Sequence, residues 1–214
     1  MVTNLPKNFY TRHTVNGIDT NLSEQLVLDI LKSYFACEDI MRGNPNNREP
    51  DYRLGNEWVE ITNIETKAQR DLKHNNWFRE ERNGTDIIIL IDNALEKKSN
   101  KKYSVAKCSV ALLCIDYAPF LFDKCKNSLY EPYIQKYVDD FYDKLYNNYL
   151  KVGVFGNIYI LCINTNNRFT IIDILKHYER KEYINNVEFN DENYAHPYLS
   201  DQWSSYEMDT IVDA

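Results

Sequence analysis

The chain has 214 residues, 43% of them hydrophobic and 27% charged, enough apolar surface for a sizeable core and too much for global disorder. A net charge of −7 argues against a passive nucleic-acid coat, and five cysteines with no CxxC pair and no zinc-ligand spacing to the four histidines set aside zinc and disulfide chemistry. The opening MVTNLPKNFYTRH lacks the apolar stretch of a secretory signal and no later apolar run spans a bilayer, so no membrane partner and a cytoplasmic location are expected.

The first strong element is NLSEQLVLDILKSYFA (21–36), where Leu26, Val27, Ile30, Leu31, Tyr34 and Phe35 recur at helical spacing. GNPNNREP (43–50) is turn chemistry, and short strands are expected near 50–54 and 57–63. TKAQRDLKHNNWFREER reads as a polar helix closed by Asn83-Gly84. The continuous apolar run DIIILID (86–92) is expected to be a strand buried on both faces.

ALEKKSNKKYSVAK follows as a basic loop holding Lys97, Lys98, Lys101, Lys102 and Lys107, able to track a phosphate backbone or to be a solvated charge run. CSVALLCIDY (108–117) reads as another strand. Residues 131–150 read as a Tyr-rich amphipathic helix with Ile134, Val138, Phe141, Leu145 and Tyr149 on one side. NIYILCIN (157–164) and RFTIIDI (168–174) read as strands joined by the turn Thr165-Asn166-Asn167. This order implies an α/β (α+β) domain over 1–187, a central mixed β-sheet flanked by helices, with an acidic, aromatic C-terminal tail over 188–214.

Chemistry concentrates in PDYRLGNEWVEITN (50–63). In a strand Trp58, Glu60 and Thr62 share one face while Val59, Ile61 and Asn63 share the other. Asp51 stands on the preceding strand across a short turn, and neighbouring strands lie about 5 Å apart. Asp51 and Glu60 can therefore converge on one Mg²⁺ or Mn²⁺ ion, which accepts one or two carboxylates together with water and phosphate oxygens. Glu24 falls at the edge of the apolar arc of the first helix. It is either a third carboxylate of that site or the closing residue of the capping box Asn21-Leu22-Ser23-Glu24.

A leading helix with an inward Glu24, then Pro50-Asp51, then a hydrophobic strand carrying Glu60-Ile61-Thr62 resembles the PD-(D/E)xK nuclease superfamily, the restriction-endonuclease-like fold. The resemblance covers about residues 20–92. It implies a restriction-endonuclease-like core, magnesium dependence and cleavage of phosphodiesters, in DNA more than in RNA, with Asp51, Glu60 and Glu24 at the metal. The family's lysine, which orients the attacking water and stabilises the developing charge, is replaced here by Thr62. Lys67 is the nearest substitute and Lys73 the next, with Gln69 and Arg70 placed to touch a phosphate. Trp77-Phe78 beside Arg79 and Arg82 could stack on a strand or close the helix onto the sheet.

The expected activity is a metal-dependent nuclease with a nucleic-acid partner, and a homodimer would suit cleavage of both strands. The alternative is a catalytically inactive phage or mobile-element protein of the same fold that binds and inhibits a host nucleic-acid enzyme. No nucleophile elbow, Gly-rich phosphate loop or dinucleotide fingerprint is present in the sequence.

Overall fold

The structure, a computed structural model, describes residues 13–15, 18–20, 22–64, 84–114, 131–163, 168–180 and 185–188. Along the chain come β1 (His13–Val15), β2 (Ile18–Thr20), α1 (Leu22–Phe35), β3 (Ile40–Arg42), β4 (Tyr52–Leu54), β5 (Glu57–Asn63), α2 (Gly84–Ser99) and β6 (Ser109–Leu113). They are followed by α3 (Glu131–Leu145), β7 (Ile158–Ile163), β8 (Arg168–Asp173), α4 (Ile174–Arg180) and β9 (Asn185–Glu188). A π-helical turn, Tyr146–Leu150, prolongs α3.

β3 to β9 form one seven-stranded mixed sheet in chain order, and β1 pairs with β2 in a separate hairpin. β3-β4-β5 is an antiparallel meander, β5-β6-β7 is parallel, and β8 and β9 return antiparallel. Parallel neighbours cannot be joined by a tight turn. The helices α2 and α3 fall in the two crossovers that this topology requires.

Strand alternation divides the core into two layers. On one face Val59, Ile61, Ala111, Leu113, Tyr159 and Leu161 pack against Leu26, Val27, Ile30 and Leu31 of α1. On the other, Val110, Leu112, Ile158, Ile160, Cys162 and Ile172 pack against Ile91 and Leu95 of α2, Phe141 and Leu145 of α3, and Ile174 of α4. Each fully buried Leu or Ile contributes about 1.5–3 kcal/mol, so the two layers together hold the central strands between the helices. No helix among the described residues is long and apolar enough to cross a membrane.

The run 86–92 corrects the strand expectation: it is the body of α2. Ile91 and Leu95 are wholly buried, four residues apart, while Ile89 is 51% exposed, which is helical and not two-sided burial. A short continuous apolar run carries no period of its own. The helix shows only when the pattern is followed through Leu95 into Glu96-Lys97-Lys98-Ser99, whose lysines sit favourably at the negative helix end. The basic segment accordingly begins as a helical turn and becomes a loop only after Ser99. The short strands β1, β2, β3 and β9 were not anticipated. β9 ends at Glu188, the first residue of the expected tail. The polar helix of 66–82 and the remainder of the tail lie outside the described residues.

Candidate active site

Asp51 is placed by a closed loop and a tight hairpin. Gly43 N–H donates to the Asp51 carbonyl at 2.9 Å and Asn44 N–H to Glu49 Oε2 at 2.7 Å, around the 3₁₀ turn Pro45–Asn47. A Cβ on Gly43 would lie 1.7 Å from the Pro50 carbonyl oxygen, so only glycine allows the loop to close there. On the far side of β4 the two-residue turn Gly55-Asn56, with Gly55 at φ +56°, reverses the chain into β5.

The hairpin register pairs Tyr52 with Val59 and Leu54 with Glu57. Continued by one residue, it sets Asp51 opposite Glu60, and residues facing each other across an antiparallel pair project to the same side. Both carboxylates therefore occupy the α2 face of the sheet. Asp51 Oδ2 accepts from the Ile61 N–H at 2.8 Å, so the side chain takes over a ladder position just where β4 has not yet begun.

Two cations meet Glu60. Lys98 Nζ and Lys101 Nζ each donate to Glu60 Oε1 at 2.5 Å. The Glu60 side chain is 3% exposed and that of Lys98 15%, whereas Lys101 is 48% exposed, so the first pair is buried and the second closes it from the solvent side. Lys98 also approaches the Ile61 carbonyl at 3.5 Å. Tyr103 adds an aromatic wall, its ring 5.8 Å from Lys101 Nζ, and burial, then the Glu60 charge, pushes its phenol far above the ordinary range.

The electrostatics push the two acids apart. Burial, then the charge of Glu60, raises the Asp51 carboxyl above the usual carboxylate range, against the Ile61 N–H and the lysines. Burial acts on Glu60 in the same sense, but Lys98 and Lys101 together outweigh it and hold Glu60 below that range. Burial, followed by the neighbouring Lys101, lowers the Lys98 ammonium despite its bond to Glu60. A carboxyl shifted up, a carboxyl shifted down and an ammonium shifted down thus meet on one face of the sheet.

Of the residues expected at the site, the structure brings Asp51 and Glu60 together. It does not bring Glu24 to them: Glu24 sits half-buried in the first turn of α1, and α1 covers the opposite face of the sheet. Among the described residues no three His, Cys, Asp or Glu side chains converge, so the expected third carboxylate is not part of the cluster. Lys67, Lys73, Gln69 and Arg70 lie outside the described residues. Thr62 shares the Glu60 face, but its buried hydroxyl meets no hydrogen-bond partner.

The cations at Glu60 come from the end of α2 and the loop behind it. A signal for Lys98 did exist. It lies three residues after Leu95 and seven after Ile91, on the buried stripe of a helix.

The residues fit a magnesium-type ion in number and kind. The Ile61 N–H and the two lysines bond Asp51 Oδ2 and Glu60 Oε1, leaving the second oxygen of each acid to face an ion, and hard cations of this size need only one or two carboxylates with water and substrate oxygens. Comparison of the chain with protein-family models, with curated proteins and with solved structures gives no match.

Proposed function

We propose that the chain is a metal-dependent nuclease of the restriction-endonuclease-like kind, hydrolysing phosphodiester bonds in nucleic acid, DNA before RNA. The observation that carries this reading is the convergence of Asp51, Glu60 and Lys98 on one face of β5. Asp51 and Glu60 would hold Mg²⁺ or Mn²⁺, which supplies charge neutralisation at the phosphate and a lowered pKa for bound water. Lys98 would supply the cation that the Glu-x-Lys pattern lacks at Thr62, reaching Glu60 from a different element. Its ammonium, less basic than usual, can orient a water and pass a proton to or from it at Nζ. Lys101, half-exposed, offers a second positive charge to a phosphate oxygen.

The test is cleavage of plasmid DNA and of structured RNA in Mg²⁺ or Mn²⁺ by wild type, Asp51→Ala, Glu60→Ala and Lys98→Met. Wild type should cut and all three variants should fall to background. Equal and intact substrates in every lane would end the reading.

One observation favours the inactive-binder reading. Glu60 is already neutralised by two lysines, a charge cluster that is self-contained without metal. Under that reading calorimetry finds no Mn²⁺ binding, and a tight protein partner replaces the nucleic acid.

A further inference from the structure

Glu57 starts β5 three residues before Glu60 and so projects to the other face of the sheet. Its Oε1 accepts from the Ser109 hydroxyl at 2.6 Å and the Tyr159 hydroxyl at 2.7 Å. Both donors are 2% exposed, and they come from the starts of β6 and β7. Burial, and then the Glu57 charge, pushes the Tyr159 phenol far above its ordinary range, so it remains a donor.

An ionised carboxylate has about four lone-pair positions. The two hydroxyls use those of Oε1. Oε2 meets no donor, and no cation pairs with Glu57, among the described residues.

A cleft of about 610 Å³ opens over this carboxylate, at the end of the sheet where β5, β6 and β7 begin. That volume falls in the range of small-molecule sites. Phe35 and Trp58 line it with half-buried aromatic rings, and Lys107 stands exposed at its rim. The cleft also borders the candidate catalytic centre. Trp58 shares a face with Glu60, two residues or about 7 Å along the strand. Cys108 lines the cleft, and its thiol is pushed up to about 11 by burial and then by the Glu60 charge.

These features select a ligand. A carboxylate with a free, acceptor-only oxygen calls for an N–H or O–H donor, aromatic rings favour a planar partner, which for a base means an amino N–H, and a rim lysine favours an anion and disfavours a polycation. We propose that the cleft is a nucleobase pocket that admits a base bearing an exocyclic amino group, held by Glu57, with Lys107 on the adjoining phosphate. Uracil and thymine have no amino group; their one donor on that edge, N3–H, lies between two carbonyls, so a carboxylate that approaches it meets a second acceptor on either side. The inference rests on the nuclease reading for its position beside the scissile bond, and it makes the cleft the determinant of base preference.

The test is an NMR titration of the full chain with AMP, GMP, CMP and UMP in EDTA, so that cleavage plays no part. UMP should bind at least about tenfold more weakly than the other three, the discrimination of a single good base contact. Glu57→Gln, which keeps an oxygen for Ser109 and Tyr159, should remove that difference. Lys107→Ala, at an exposed position, should weaken nucleotides while leaving nucleosides unchanged.

No binding by any nucleotide, or equal binding of all four with no effect of Glu57→Gln, would overturn the proposal. So would Glu57-dependent binding of spermidine in place of nucleotides. Selective binding without any phosphodiester cleavage would leave the pocket standing and remove the nuclease. Cleavage without selective binding would do the reverse.

Discussion

Two glutamates on one strand meet opposite surroundings. Glu60 faces α2 and is neutralised by Lys98 and Lys101; Glu57 faces away and is held by two neutral hydroxyls. Strand alternation alone sends them to different faces, but the partners decide what each can do. The ammonium groups keep Glu60 ionised in a nearly dry site and, on the proposed nuclease reading, would offer charge to a phosphate. The hydroxyls orient Glu57 without neutralising it, so it retains acceptor strength for an incoming group. The same side chain is thus a charge anchor in one place and, in the proposed pocket, would read a hydrogen-bond donor in the other.

The largest break in this contrast should come from Glu60→Leu, which leaves Lys98 buried without its counter-charge. Urea unfolding should show a loss of about 3–5 kcal/mol. Adding Lys98→Met should restore most of it, because a well-packed apolar pair can replace a buried ion pair. Equal losses in the single and double variants would mean that the lysine turns to water when unpaired.

Glu57→Leu should cost less, about 1–3 kcal/mol, since it strands two buried hydroxyl donors and no charge. A loss as large as that of Glu60→Leu would erase the distinction drawn between the two sites. Lys101→Ala should cost under about 1 kcal/mol, as expected of a half-exposed partner that leaves Lys98 in place.

The smallest contrast lies in pH. Glu60 is depressed from its ordinary value of 4.5, so its stabilisation is present above that value and lost as pH falls through the lower folded value. Comparing wild type with Glu60→Gln by thermal unfolding in EDTA should show wild type's advantage shrinking only below pH 4.5. Asp51, raised from 3.8, has the opposite sign, and wild type should gain on Asp51→Asn as pH falls toward that value.

Much of this site was readable in the residues themselves. The alternation of Trp58, Glu60 and Thr62 and the short Gly55-Asn56 turn were enough to set Asp51 against Glu60. The cation was not, because it required knowing that 86–92 coils. Read as a strand, that run ends at Asp92 and strands Lys98 in a loop; read as a helix, it delivers Lys98 to the sheet. The short strands β3 and β9 carry too few residues for a period to show. The Glu57 pocket is assembled from β5, β6 and β7, whose side-by-side order is a property of the folded sheet and not of any one segment.

The most direct measurement is the anomalous difference map of a crystal soaked in Mn²⁺. A peak between the Asp51 and Glu60 carboxylates, with Lys98 still beside Glu60, is the predicted result. A well-ordered map with no peak there, and Glu60 unchanged between its two lysines, would contradict the account.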